Sequence, residues 1–371
     1  MARIAVIDDA IHDMVLSKRV SERYCLENGE FYKTGRCEET GLSHGTLVAN
    51  VLEQYSAAYE LISIQMIGNW FTEKRCQVAA LCQALDLCTE IGCDVINISV
   101  GTKRLSASRA LGRALGKVLH AGIPIVAACS NTFYRTVPAA QPGVFGVTCD
   151  PMQRLAPGSY AFSPEPYLGT DYIANYELTL PGIEDAHRSN SLAAAVLTAQ
   201  VNNLIHHAHL SHADLAEALR AESMPYKFCP AAYADRTTEC PVVYLSDLLT
   251  GRWEEQIALI NLFADAGYEV LAGSDRSLDA RFLSLPALGC GTAKELQQRL
   301  CACAKVDLIL VFTSPHWLKL QDWRDFDAES AIIVSAASTY GAVQPIPIRH
   351  RYRVSQASGA KFLYGYLRNI L

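Results

Sequence analysis

The sequence predicts an α/β protein: a doubly wound parallel sheet with helices on both faces, followed by a second, smaller α/β domain. Two observations carry the first domain. From Arg3 to about Asp150, short Ile- and Val-rich runs with few polar residues alternate with stretches of helical apolar spacing. This is the pattern of strands buried on both faces and joined by helical crossovers. A third observation carries the second domain, because the same alternation restarts after residue 241. Between them, Pro225–Pro241 has three prolines, two cysteines and little periodicity, which marks a linker at 226–240. The expected division is therefore 1–225, a linker at 226–240, and 241–371.

Taken in order, strands are expected at Ile4–Ile7, Glu60–Ile67, Val95–Ser99, Ile123–Ala128 and Val144–Thr148. Apolar residues at helical spacing predict helices over Gln77–Ile91 and Ser106–Ala121, the second stopped by Gly122. Asn190 to about His207 is apolar nearly all round and reads as a buried helix. A helix over Ala213–Ala221 follows, with Ser211 as its N-cap. In the second domain the strands are Val242–Leu245, Glu269–Leu271, Leu308–Phe312 and Ile332–Ser335. Its helices are Glu254–Ala266, Ala293–Ala304 and Ala360–Leu371. This is a doubly wound unit of the flavodoxin or Rossmann type. It has neither a G-x-G-x-x-G after its first strand nor a Walker sequence, so no cofactor is expected.

Composition excludes several classes. Half of the 371 residues are hydrophobic and 19% are charged, enough for packed cores and unlike a disordered chain. A net charge of −6 without a Lys/Arg run argues against nucleic acid as a partner. No apolar run approaches the roughly 20 residues that cross a bilayer, so no membrane partner is expected. The first residues enter an apolar strand directly, so no secretion signal is expected and the localisation read from the sequence is cytoplasmic. Thirteen scattered cysteines fit buried thiols in a reducing compartment. Cys301 and Cys303 would point to different faces of a helix, and His206, His207, His209 and His212 lie at a helix end where the dipole favours them. No metal site is assigned to either group.

Three segments carry the chemistry. Val6-Ile7-Asp8 puts a carboxylate at the end of the first buried strand, where catalytic groups collect in open α/β sheets. Ser43-His44-Gly45-Thr46-Leu47-Val48-Ala49 opens a helix with a histidine. Ser189-Asn190-Ser191-Leu192-Ala193 puts a serine at the start of the buried helix. Taken singly, each has a blander reading: a turn carboxylate, a role that neighbouring Asp9 also fits, a capping histidine and one more N-terminal serine. Their combination in the order Asp, His, Ser gives the functional reading.

With these segments the chain resembles the subtilisin-like serine protease family over roughly residues 1–222. The family's segments run V-I-D-[ST]-G, H-G-T-x-V-A and G-T-S-M-A. Asp94-Val95-Ile96-Asn97-Ile98-Ser99-Val100-Gly101 is similar to its substrate-binding strand, and Val126-Ala127-Ala128-Cys129-Ser130-Asn131 to the strand ending in its oxyanion asparagine. The resemblance implies a subtilisin-like fold and a serine endopeptidase with Asp8, His44 and Ser191 as catalytic triad. It also implies Asn131 in the oxyanion hole and Ser99, Val100 and Gly101 as the substrate-binding edge. The chain departs from the pattern at Ala10, Asn50, Ser130 and Ser189-Asn190, where the family has glycine or Gly-Thr.

The implied partner is a peptide or protein substrate in extended conformation, and the specific expectation is leader removal from a precursor peptide. Residues 241–371 would dock substrate or mediate a homodimer. The alternative is a catalytically impaired pseudoprotease that binds peptides, or a scaffold whose C-terminal domain senses a small ligand.

Overall fold

The computed structural model describes all residues except 14–15, 18, 36–41, 68–76, 133, 179–188, 208–209, 227–239, 277–281, 325, 327–330, 344–345 and 349. Nearly all of the expected linker, 226–240, lies outside the described residues. The chain divides into two compact units: Met1–Thr102 with Ala107–Phe228, and Lys103–Ser106 with Cys229–Leu371.

The first unit runs β1 (Ala2–Asp8), β2 (Val20–Glu27), β3 (Glu30–Thr34), α1 (His44–Tyr55), β4 (Tyr59–Gln65), α2 (Val78–Glu90) and β5 (Val95–Ile98). It continues with α3 (Ser108–His120), β6 (Ile125–Ala128), β7 (Phe145–Cys149), β8 (Tyr160–Glu165), β9 (Thr170–Ala174), α4 (Asn190–His207) and α5 (His212–Ala221). Among the described residues its nine strands lie in the order β3-β2-β4-β1-β5-β6-β7-β9-β8. The interior pairs are parallel, whereas β2–β3 and β8–β9 form antiparallel hairpins at the two edges. Strand β1 is covered on both faces. Ile4 and Val6 enter a core with Val48, Leu52, Val196 and Leu197, while Ala5 and Ile7 between them are equally buried. Full burial explains the apolar spelling of Ile4–Ile7 in β1 and of β6, and the single polar residue, Asn97, in β5.

Helix α4 lies at the centre of this core. Leu192 through Leu197, Ala199 and Val201 are buried, and the helix packs on α1, α5 and strands β1, β5, β6, β7 and β9. Two polar residues on it are fully buried and hydrogen-bonded: Thr198 donates to Asn97 Oδ1 (2.9 Å) and Asn202 donates to Ser56 Oγ (2.9 Å).

The second unit contains β10 (Val242–Ser246), α6 (Trp253–Asp265), β11 (Val270–Ser274), β12 (Leu283–Ser284), α7 (Ala293–Cys303) and β13 (Leu308–Thr313). It ends with α8 (Pro315–Leu320), β14 (Ala331–Ala336), β15 (His350–Val354) and α9 (Ala360–Arg368). Among the described residues its six strands are all parallel, in the order β12-β11-β13-β10-β14-β15. Leu259 and Phe263 of α6 and Leu363 and Leu367 of α9 share a core with Val243, Leu245, Leu310 and Phe312. The described cysteines are free thiols, and among the described residues no helix is long and apolar enough to cross a membrane.

Candidate active site

Asp8 ends β1 and His44 begins α1, and the fold brings the two side chains together. The Nδ1 atom of His44 lies 2.9 Å from both carboxylate oxygens of Asp8. Asp8 is fully buried and His44 is 7% exposed, so the pair is shielded from water. Burial disfavours a charged imidazole, but the charge and hydrogen bond of Asp8, with the nearby charge of Asp9, overcome that cost. The His44 pKa is raised above its ordinary value.

The helix start is fixed by two caps. Ser43 accepts from the Thr46 N–H (3.2 Å), while the Asp9 carboxylate accepts from the N–H groups of Gly45 (2.6 Å) and His44 (3.2 Å). Asp9 thus has the capping role expected of it. A Cβ at position 45 would stand 2.8 Å from the Asp9 carbonyl oxygen, so only glycine lets α1 approach the end of β1 this closely. The His-Gly-Thr spelling is therefore a packing requirement as well as a chemical one.

Ser191 is the second residue of α4 and is 4% exposed. Its hydroxyl donates to the Ser99 carbonyl at 3.4 Å. Ser99 in turn donates its N–H to the Ile7 carbonyl (3.2 Å), one residue before Asp8. This path of contacts puts Ser191, the segment after β5 and the Asp8–His44 pair in one neighbourhood. In this structure the Ser191 hydroxyl is turned towards Ser99.

The other expected residues fall around Ser191. Asn131 is exposed, and its Oδ1 accepts from the Asn190 N–H at 2.7 Å, which leaves the Nδ2 donors at the opposite end of the amide. Ser99, Val100 and Gly101 follow β5 rather than belonging to it; Ser99 and Val100 are buried and Gly101 is exposed. Next to them, Thr102 and Val137 exchange two antiparallel backbone hydrogen bonds of 2.9 and 3.0 Å.

The departures from glycine are accommodated. Ala10, Asn50, Ser130 and Ser189 all lie outside the positive-φ region, so none of them carries the strain that would demand glycine. Asn190 is more than tolerated: it is a residue whose part in the site the sequence reading missed. It is 5% exposed, accepts from the Cys149 N–H at 2.7 Å, and donates to the Cys129 carbonyl at 3.2 Å. Its side chain latches the first turn of α4 to the ends of β6 and β7, directly before Ser191. Asn97 acts similarly, accepting from Thr198 of α4 and donating to Ser99 Oγ at 3.3 Å.

Asn190→Ala would orphan a buried N–H and a buried carbonyl, each worth about 1–3 kcal/mol. A destabilisation of about 2–5 kcal/mol is expected, read as a lower urea midpoint with an unchanged slope.

Among the described residues, no group of three or more His, Cys, Asp or Glu side chains is arranged to hold a metal ion. Of the histidine cluster, His209 and the side chain of His207 lie outside the described residues. The His212 Nε2 lies 2.8 Å from the Gly143 carbonyl, and its ring stacks on Phe145 with centroids 4.9 Å apart, a packing role.

No family model and no curated protein matches the chain. Among solved structures, it is similar to the prenylagaramide maturation protease PagA at 18% identity and a TM-score of 0.44, over 61% of this chain and 84% of that one. It is similar to the protease domain of PatA at 16% identity and a TM-score of 0.46, over 60% of this chain and 88% of that one. A lanthipeptide protease is similar at 15% identity and a TM-score of 0.44, over 59% of this chain and 79% of that one.

Proposed function

We propose that the first unit is a serine endopeptidase with Asp8, His44 and Ser191 as its triad. The observation that carries this reading is the buried Asp8–His44 pair, with both carboxylate oxygens 2.9 Å from Nδ1. That contact fixes the tautomer in which Nε2 is the free, basic nitrogen, and it stabilises the imidazolium once formed. His44 Nε2 takes the Ser191 proton as Oγ attacks the scissile carbonyl carbon. The same proton then passes to the departing amine as the C–N bond breaks. Water, activated in turn by His44, hydrolyses the resulting ester and regenerates Ser191.

Asn131 Nδ2 and the Ser191 N–H donate to the oxyanion, a role favoured by the anchoring of Asn131 through its carbonyl end. The exposed backbone at Gly101 receives an extended substrate by strand addition. The substrate we assign is a precursor peptide, cleaved to release its leader, and the site of action is the cytoplasm. Residues 241–371 either dock that substrate or join two copies of the chain.

A second reading, a peptide-binding pseudoprotease, is favoured by the Ser191 hydroxyl, which is turned to the Ser99 carbonyl. Intact mass after incubation with a fluorophosphonate separates the two. The peptidase reading expects one adduct on Ser191, absent in Ser191→Ala and strongly slowed in His44→Ala. Folded protein that takes up no label would establish the pseudoprotease instead.

A further inference from the structure

Three adjacent strands of the second sheet end in buried hydroxyls. Ser246 closes β10, and its register partners are Thr313 on β13 and Ser335 on β14, so the three side chains form a row on one face. Their exposures are 0%, 3% and 0%, and the hydroxyl oxygen of each has no hydrogen-bond partner. Tyr244, two residues before Ser246 on the same face, also has an unpartnered buried hydroxyl. Buried hydroxyls normally find partners, because an orphan costs about 1–3 kcal/mol. Of these four, Thr313 also lines a cavity, where its hydroxyl can meet a partner that is not part of the chain.

At the Thr313 end of the row lies a cavity of about 580 Å³, in the range for small-ligand sites. Its walls are aromatic. Phe282 and Phe312 meet edge to face with centroids 5.8 Å apart, and Trp253 joins them from the first turn of α6, 52% exposed. Arg276 also lines the cavity, is exposed, and is paired with no carboxylate among the described residues. The adjacent carboxylate of Asp275 is occupied, since it accepts from both the N–H and the hydroxyl of Ser314 at 2.8 and 2.7 Å. Arg276 thus brings a positive charge to the cavity wall, next to an Asp275 carboxylate whose Oδ2 is held by Ser314.

The loop from β10 to α6 adds to this. Asp247, Leu249 and Gly251 have φ of 55°, 57° and 71°. Thr250 and Gly251 line the cavity at the start of the 13-residue helix α6. Glu255 in that first turn is directed elsewhere, accepting from the Ala360 N–H at 2.8 Å. Ligands in open parallel sheets gather outside the carboxyl ends of the strands, and this cavity is at such an edge.

We propose that the second unit binds a small planar aromatic ring carrying an anionic group, the chemistry of a mononucleotide. The ring lies between Trp253 and the Phe282–Phe312 wall. The anion meets Arg276 and the backbone N–H groups at Thr250-Gly251, and Thr313 hydrogen-bonds the ring's polar edge. This holds whether or not the first unit is a peptidase.

The test is calorimetric titration of the full chain with AMP, GMP and FMN, with adenosine and inorganic phosphate as half-ligands. At least one nucleotide is expected to bind, with both half-ligands at least about tenfold weaker. Thr313→Val should weaken binding by about tenfold while leaving Tm unchanged or higher, because it removes an orphaned hydroxyl. Trp253→Ala should weaken binding at unchanged Tm. The proposal is overturned if none of the three nucleotides binds at millimolar concentration, if phosphate alone binds as tightly as a nucleotide, or if both variants keep full affinity.

Discussion

Ser191→Ala is expected to lower kcat by about a millionfold, with KM changed far less, the magnitude measured for the equivalent change in subtilisin. The reason is geometric. Ser191 is the second residue of a helix whose first turn is latched by Asn190 to the ends of β6 and β7, which holds the hydroxyl in place. Because the proposed nucleophile and base would act as one device, His44→Ala should cost about as much, and the double variant no more than either single one. Additive losses, with the double variant falling by the product of the two, would mean that Ser191 and His44 do not share a proton. Single-turnover cleavage of an extended peptide, with circular dichroism to check folding, provides the measurement.

Asp8→Asn should reduce kcat by about ten-thousandfold, the scale seen when the aspartate of a serine protease triad is neutralised. Its diagnostic is the pH profile. In the wild type the His44 pKa is raised, so the neutral base becomes available only above the usual imidazole value of about 6.5, and kcat/KM climbs with pH through that raised value. In the variant burial remains and the carboxylate charge is lost, so the same limb moves to lower pH.

Stability has the opposite sign. A raised folded-state pKa contributes stability fully below the unfolded value of about 6.5 and loses it as pH rises through the folded value. The urea midpoint of the wild type should therefore fall over the same interval in which its activity rises, and Asp8→Asn should abolish that fall. Identical profiles for the two proteins would remove Asp8 from its role.

The strands that position this site were legible because full burial leaves a simple trace. Ile4–Ile7 is apolar throughout, and Val95–Ile98 is apolar but for the hydrogen-bonded Asn97, since both strands are buried on both faces. Edge elements leave no such trace. The β2–β3 hairpin is spelled with charges because its outer strand is mostly exposed, as at Glu30, Lys33 and Thr34. The Asn28-Gly29 turn, with φ of 53° and 87°, was the one local signal that could have revealed it. Pro164 and Pro166 obscure the β8–β9 hairpin in the same way.

Within the site, Asp8, His44 and Ser191 could be found by residue type and order. Asn190 could not, because its side-chain partners lie 41 and 61 residues away and its position reads only as a replaced threonine. The hydroxyl row of Ser246, Thr313 and Ser335 is hidden for the same reason. Each is an ordinary strand-end residue until strand order makes them neighbours.

Helix α4 carries Ser191 at one end and is enclosed by the core along most of its length. An enzyme that cuts extended chains is exposed to its own chemistry whenever a segment frays. Here the proposed nucleophile, Ser191, stands in the first turn of a helix whose next eight residues, Leu192–Ala199, are all buried. On the proposed reading, an opening that unpacks this buried run would take the serine out of register with His44, so the loss of the core and the loss of activity would go together.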